Sequence, residues 1–388
     1  MKFATKAIHV GELNIDGIRP VINPIFQTTN YIMDDEAYEK LVQGKSREAW
    51  IYTRLNNPTR RAVEEKLASL EQGEDAVLFS SGIGAVAATL LTFLSPSDHV
   101  VSSKDLYGGS FRLLMELKEK LNIGVSFANP MEPEGIIDSA TPRTKVFFFE
   151  SLSNPLLKPF LIEGVVDFAR RRGIKIVVDN TFLSPYNYNP LKNGADIVVH
   201  SITKYIGGHS DLIAGAAIGS KEDIEKIWHT MITLGASPDP IQCFLIERSI
   251  KTLAVRMEKH NKNAQRIARF LSKHSKVERV IHPSLETYYE YEYAKKNFKG
   301  GGGMVTFKIK GNDQDGIRFM RNLQIIKEAA SLGGVESLVS MPFNTSHTSL
   351  SKEDRLLVGI EEGTIRLSVG IEDAEDLIND LDSALRAL

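Results

Sequence analysis

The chain has 388 residues, 42% apolar and 25% charged, with 47 Lys and Arg against 49 Asp and Glu. That balance, a formal charge of −2, gives no general attraction to nucleic acid or anionic membrane, and the length suits two domains rather than one. The lone cysteine, Cys243, fits a reducing compartment; MKFATKAIHV lacks the apolar core of a signal peptide, and the longest apolar stretch, 85–94, falls short of the ~20 residues a bilayer needs, so the expected location is the cytoplasm.

In chain order, residues 1–55 read as an extended arm. The stretch IRPVINPIFQTTNYIM carries two prolines and no periodicity, and needs another surface to hold it. NPTRRAVEEKLASLEQG (57–73) predicts an amphipathic helix, with Pro58 near its start and Gly73 just past its end. Short apolar runs then alternate with helical segments: 75–81, 99–103, 145–151, 175–181, 196–201 and 213–220. Runs without polar alternation suit strands covered on both faces, hence a mostly parallel sheet in an α/β domain over 56–247. The pattern changes at 241–274, which reads as one long helix. Strands at VERVIHP, GGGGMVTFKIKG and GTIRLSVGIED, with helices DQDGIRFMRNL and AEDLINDLDSALRAL, predict a smaller α+β domain over 248–388.

In open α/β sheets ligands bind beyond the carboxyl ends of the strands. After AVLFSS, Gly82 and Ile83 open a helix whose first N–H groups are free to hold an anion. No Gly-Lys-Ser/Thr follows and the GxGxxG spacing is absent, so neither a Walker loop nor a dinucleotide fingerprint is present. Asp179 follows the apolar run KIVV, a costly place for a carboxylate unless it caps a helix or faces a cation. Lys204 follows DIVVHSIT, beside the hydroxyls of Ser201 and Thr203, which can bind phosphate; a partly desolvated amine there can form a Schiff base. Singly, these features are a turn, a cap and a surface lysine. Together they are what pyridoxal 5′-phosphate (PLP) requires: an amine for its aldehyde, an acid for its ring nitrogen and a cradle for its phosphate.

The motifs YTRLNNPT, SSGIGA, LYGGSFR, VVDNTFLSP, SITKYIGGHSD, SLGGVES and IRLSVGIED resemble those of the Cys/Met-metabolism family of PLP enzymes, and the resemblance spans nearly the whole chain. It implies the fold of PLP-dependent transferases of type I, like aspartate aminotransferase. It also implies roles. Lys204 would carry the cofactor, with Ser201, Thr203, Gly82 and Ile83 on its phosphate, Asp179 on its ring nitrogen and Tyr107 stacked on its ring. Tyr52 and Arg54 would reach the phosphate in a neighbouring subunit, which implies a dimer with shared sites, usually within a tetramer. Asn154, Ser331 and Arg366 would surround the substrate α-carboxylate, a task that suits the planar fork of arginine.

The activity implied is γ-elimination of L-cystathionine to cysteine, 2-oxobutyrate and ammonia. Alternatives are γ-replacement on an O-acylhomoserine by cysteine, elimination from methionine, and β-elimination. Gly109 stands where methionine γ-lyases usually carry cysteine, and Leu332 where bacterial β-lyases carry tryptophan. Arg112 and Glu336 resemble positions that suit the distal zwitterion of cystathionine. Two further departures are SLSNP at 151–155, for Thr-Pro-Ser-Asn-Pro, and NTSHTS at 344–349, for Met-Thr-His-Ala-Ser. Three features read as structural: His200 as a packed or hydrogen-bonded histidine, Cys243 as core, and YYEYEY (288–293) as a surface or interface segment. No histidine pair has metal-ligand spacing.

Overall fold

A computed structural model describes residues 1–15, 17–18, 20–345, 352–357 and 359–388. Among them, seven strands form the larger sheet: β1 Asp75–Phe79, β2 His99–Ser102, β3 Gly124–Phe127, β4 Thr144–Glu150, β5 Lys175–Asp179, β6 Ile197–Ser201 and β7 Gly215–Gly219, in the order β1-β7-β6-β5-β4-β2-β3. The pairs β3–β2, β2–β4, β4–β5 and β5–β6 are parallel, and β7 runs against both β6 and β1. Successive side chains of a strand face opposite ways. In β4, Phe148 therefore packs with Val177, Val199 and Trp228 on one face, while Phe147 and Phe149 pack with Ile176 and Val178 on the other. That two-sided burial is why these strands read as continuous apolar runs. Strand β3, GVSF, gave no such run: it lies at the sheet edge and is half-buried throughout.

Because β7 alone is reversed, β1, β2, β4, β5 and β6 all end at the same edge of the sheet. The segments that follow them deliver Gly82, Tyr107, Asn154, Thr181 and Lys204 to that edge.

A second sheet holds β8 Val277–Ile281, β9 Met304–Ile309, β10 Lys327–Glu328, β11 Leu338–Ser340 and β12 Thr364–Ser368, in the order β10-β11-β12-β9-β8. Its strands alternate. Val305, Phe307, Val339, Ile365 and Leu367 share a core with Ala264 and Ile267 of helix Leu253–Leu271 and with Leu377 and Leu381 of helix Ala374–Arg386. Thr306, Ser340 and Arg366, directly opposite one another, face the other way.

Two segments differ from expectation. The stretch 241–274 is two helices, Pro240–Ile250 and Leu253–Leu271, rather than one. At the break, Ser249 O accepts from Thr252 Oγ1 at 3.1 Å and from the Arg256 guanidinium at 2.9 Å, which also donates to the carbonyls of Tyr205 and Ile206. The first helix packs on Leu67 and Leu70 of helix Pro58–Glu71, the second under the smaller sheet. The expected division at 247/248 falls inside helix Pro240–Ile250. The arm, in turn, contains helices Phe3–His9 and Asp35–Val42. Lys66 Nζ, buried in helix Pro58–Glu71, donates to the carbonyls of Ala7 and Ile8, and Asp34 caps the second helix by accepting from Ala37 N–H. No helix among the described residues is long and apolar enough to cross a membrane.

Candidate active site

Helix Gly82–Phe93 begins where β1 ends, with Ser81 Oγ accepting from Gly84 N–H at 3.1 Å. Gly82 and Ile83, its first two residues, have no carbonyl within the helix to receive their N–H groups. Ser201, at the end of β6, closes on this helix end. A Cβ on Gly82 would lie 2.7 Å from Ser201 Cβ and 2.8 Å from its Oγ, so only glycine permits the approach. N–H donors, a hydroxyl and the positive end of a helix dipole thus converge. The hydroxyl of Thr203 is spent on the loop itself, accepting from Ala214 N–H at 3.1 Å.

At the residue after Thr203, Lys204 Nζ donates to Ser331 Oγ at 2.7 Å. Burial, reinforced by the charge of Arg366, brings its pKa down to about 8. Ser331 sits at φ +86°, a region that favours glycine. It is held there from both sides: its carbonyl accepts from Arg366 Nη2 at 3.1 Å, and nearby Gly333 N–H donates to Ser368 Oγ at 2.9 Å. Arg366 also donates from Nη1 to Asn154 Oδ1 at 3.2 Å. It is only 5% exposed, and among the described residues no carboxylate pairs with it. A buried guanidinium bonded only to neutral oxygens is costly, and a ligand carboxylate between Arg366 and Asn154 removes the cost.

Asp179 lies beside Glu150, its directly opposite partner on β4. Burial raises the pKa of both, and the charge of Asp179 raises that of Glu150 further. Asp179 Oδ1 accepts from Thr181 N–H and Oγ1, and Thr181 Oγ1 accepts in turn from Ser201 N–H at 2.8 Å. Glu150 accepts from Tyr107 N–H at 2.7 Å through one oxygen and from Asn154 N–H at 3.2 Å through the other. The sequence reading missed Glu150 and Thr181. Both stood in the runs it singled out, and Glu150 ends its strand just as Asp179 does. The ring of Tyr107 lies over Gly109, where a Cβ would come within 2.4 Å of its Cε1.

The remaining expected residues stand apart. Glu336 accepts a hydrogen bond from Ser210, on the loop after Lys204. Arg112 is exposed on helix Gly108–Leu121, and no contact joins it to Glu336 among the described residues. Arg54 donates to Ile232 O at 2.6 Å and lies 5.8 Å from the centre of the Tyr52 ring. Of the NTSHTS departure, 346–349 lie outside the described residues. His200 Nε2 pairs with Glu71 Oε1 at 2.5 Å, and both are buried, as is Cys243. The tyrosine run, read as a surface or interface segment, is mixed: Tyr289 is 43% exposed and Glu292 is exposed, while Tyr288 is buried. Tyr288 is 4% exposed, and the hydroxyls of Tyr288, Tyr289 and Tyr293 donate to carbonyls of the segment after Asn154.

These residues fit PLP. The glycine-permitted cradle at Gly82 and Ser201 suits a phosphate, the desolvated carboxyl of Asp179 suits a ring N–H⁺, and Lys204 offers an amine of lowered basicity.

A sequence profile described as Cys/Met metabolism PLP-dependent enzyme matches residues 4–386. The chain is 41% identical to an L-methionine gamma-lyase of Fusobacterium nucleatum subsp. polymorphum, covering 99% of this chain and 98% of the relative. It is 40% identical to a cystathionine gamma-lyase of Dictyostelium discoideum (99% and 97%) and 39% identical to a cystathionine gamma-lyase of Bacillus subtilis (99% and 99%).

Proposed function

The chain belongs to the Cys/Met-metabolism family of PLP-dependent enzymes, and from that premise we propose that it is a carbon–sulfur lyase that converts L-cystathionine to cysteine, 2-oxobutyrate and ammonia. The observation that carries the amino-acid site is the buried Arg366, without a carboxylate partner among the described residues, joined through Ser331 to Lys204. A ligand whose carboxylate meets Arg366 and Asn154 presents its α-amine and Cα toward Lys204.

PLP, when bound, supplies a protonated ring that accepts the electrons of the bond broken at Cα. The chain supplies the rest. Lys204 Nζ would hold the cofactor by its aldehyde, and as a free amine, its pKa brought down to about 8 by burial and the charge of Arg366, it would take the Cα proton and carry protons along the substrate. Asp179 would pair with the ring nitrogen and hold it protonated, and Thr181 orients Asp179 through two hydrogen bonds to one oxygen. Tyr107 stands ready to protonate the departing sulfur, its backbone held by Glu150. Water completes the reaction, releasing ammonia and 2-oxobutyrate.

Gly109 supports cystathionine over methionine, because it stands where methionine γ-lyases usually carry cysteine. Glu336 and Arg112 are the proposed partners of the distal ammonium and carboxylate. The methionine reading is favoured by the 41% identical relative of that name. We also propose a homo-oligomer whose sites are shared through Tyr52 and Arg54, in the cytoplasm. The exposure of Val21, Ile32 and Val42 on the arm supports a second copy covering it.

The test is to give the PLP-loaded protein L-cystathionine and, separately, L-methionine. Cysteine with 2-oxobutyrate as the faster reaction supports the proposal. Homocysteine with pyruvate would mean β-elimination. Faster release of methanethiol from methionine would move the assignment there, and turnover only of an O-acylhomoserine with cysteine would make the protein a synthase.

A further inference from the structure

We propose that the hydroxyls of Tyr288, Tyr289, Tyr293 and Thr306 form a clasp that positions Asn154 against Arg366, so that the carboxylate subsite moves as a unit with the smaller sheet. This rests on the reading of Asn154 and Arg366 as that subsite.

The chain leaves β4 at Glu150 and turns back through residues 151–160. Three N–H groups of this turn close it on itself: Ser153 N–H donates to Lys158 O at 2.9 Å, Leu157 N–H to Ser153 O at 2.9 Å and Phe160 N–H to Ser151 O at 3.3 Å. Its outward carbonyls are taken by the other half of the molecule. Thr306 Oγ1 donates to Pro155 O, Tyr289 to Leu156 O, Tyr288 to Leu157 O at 2.5 Å and Tyr293 to Phe160 O at 3.1 Å. Four separate side chains thus hold one short turn through its backbone.

Two observations tie the clasp to the site. Thr306 lies directly opposite Arg366 on paired strands, so one strand grips Pro155 O while its neighbour reaches Asn154 Oδ1, one residue earlier. Leu157, between the clasped carbonyls, sits at φ +55°, a conformation that a branched side chain rarely adopts unless its surroundings impose it. Burial raises the phenol pKa of all three tyrosines well above the ordinary value, which keeps them hydrogen-bond donors across the working range. Nothing in this arrangement touches Lys204, Ser201 or Gly82. The clasp acts through Asn154, and these four are positioning residues.

The experiment uses the PLP-loaded full chain and follows cofactor absorption on titration with glycine, which has an α-carboxylate and no side chain, and with ethylamine, which has the amine alone. The variants are Tyr289→Phe/Tyr293→Phe, Thr306→Val and, as reference, Asn154→Ala. The double variant should bind glycine roughly five- to tenfold more weakly, the loss of about one hydrogen bond's worth of alignment. Its ethylamine affinity and its absorption without ligand should stay unchanged. A merely structural clasp would lower the melting temperature and leave the glycine-to-ethylamine ratio alone; that result, with Asn154→Ala still weakening glycine, overturns the proposal. If Asn154→Ala leaves glycine binding intact, the carboxylate reading itself fails, and the role of the clasp with it. Should the double variant not fold, Thr306→Val carries the same comparison.

Discussion

Lys204 shows how much a single residue depends on what surrounds it. An exposed lysine at neutral pH is almost entirely protonated and a poor nucleophile. Lowered from 10.5 to about 8, the amine of Lys204 has a neutral fraction larger by roughly 300-fold at pH 7. Cofactor-free protein should therefore take up PLP at a rate that rises with pH and levels off just above 8, because the neutral amine is the form that attacks an aldehyde. Arg366→Met removes the neighbouring cation that helps lower the value, so the rise should move to higher pH. Stopped-flow absorption at a series of pH values measures both, and a rise near the ordinary lysine value would refute the buried-amine account. At the same scale, Asp179 and Glu150 are two buried carboxyls side by side. Both resist ionising, but Thr181 donates twice to Asp179, which makes Asp179 the better able to hold a charge opposite a ring nitrogen.

At the scale of elements, the site exists because five strands end on one edge of the sheet and a helix starts where one of them stops. The approach of that helix to β6 depends on a missing side chain. Gly82→Val should drive Ser201 and the helix end apart and weaken PLP retention by more than about tenfold, by analogy with the loss of a bidentate anion contact. Helical content and melting temperature should change little, because residue 82 is at a helix end rather than in the core. Equilibrium dialysis with circular dichroism checks this, and undiminished retention would remove the cradle from the description. Five of the strand ends that build this edge were legible, because runs such as VLF and IVV are apolar on both faces. Edge strand β3 was not, since an edge strand is covered on fewer sides and its residues carry no comparable apolar signal. The break at 251–252 was also invisible. Helical periodicity continues across it, and what ends the first helix is hydrogen bonding from Thr252 and Arg256 to one carbonyl.

For the whole molecule, the open matter is the arm. Its first helix is tied to the body of its own chain at Lys66, yet Val21 and Ile32 stand essentially fully exposed. Arg54→Ala should weaken cofactor retention, although Arg54 makes no hydrogen bond to Ser201, Thr203 or Lys204 among the described residues. Mixing Arg54→Ala with Lys204→Ala subunits should give more activity than either alone, because an assembly containing one of each has one site with both residues intact. An inactive mixture, with subunit exchange demonstrated, would rule out shared sites.

What the sequence by itself determined is chemistry and local form: which residues could be an amine, an acid or an anion cradle, and which runs could be strands buried on both faces. Those properties reside in residue type and in periods of two or 3.6 positions. Only the tertiary structure decided which groups meet. Lys204 reaches Ser331 across 127 positions, Arg366 reaches Asn154 across 212, and Tyr288 reaches Leu157 across 131. Contacts over such separations leave no trace in a local pattern, because they form only where the segments beyond the larger sheet's strand ends meet the smaller sheet and its connections. For the same reason the sequence could not show that a tyrosine run reading as surface or interface sends three hydroxyls to the turn that carries Asn154.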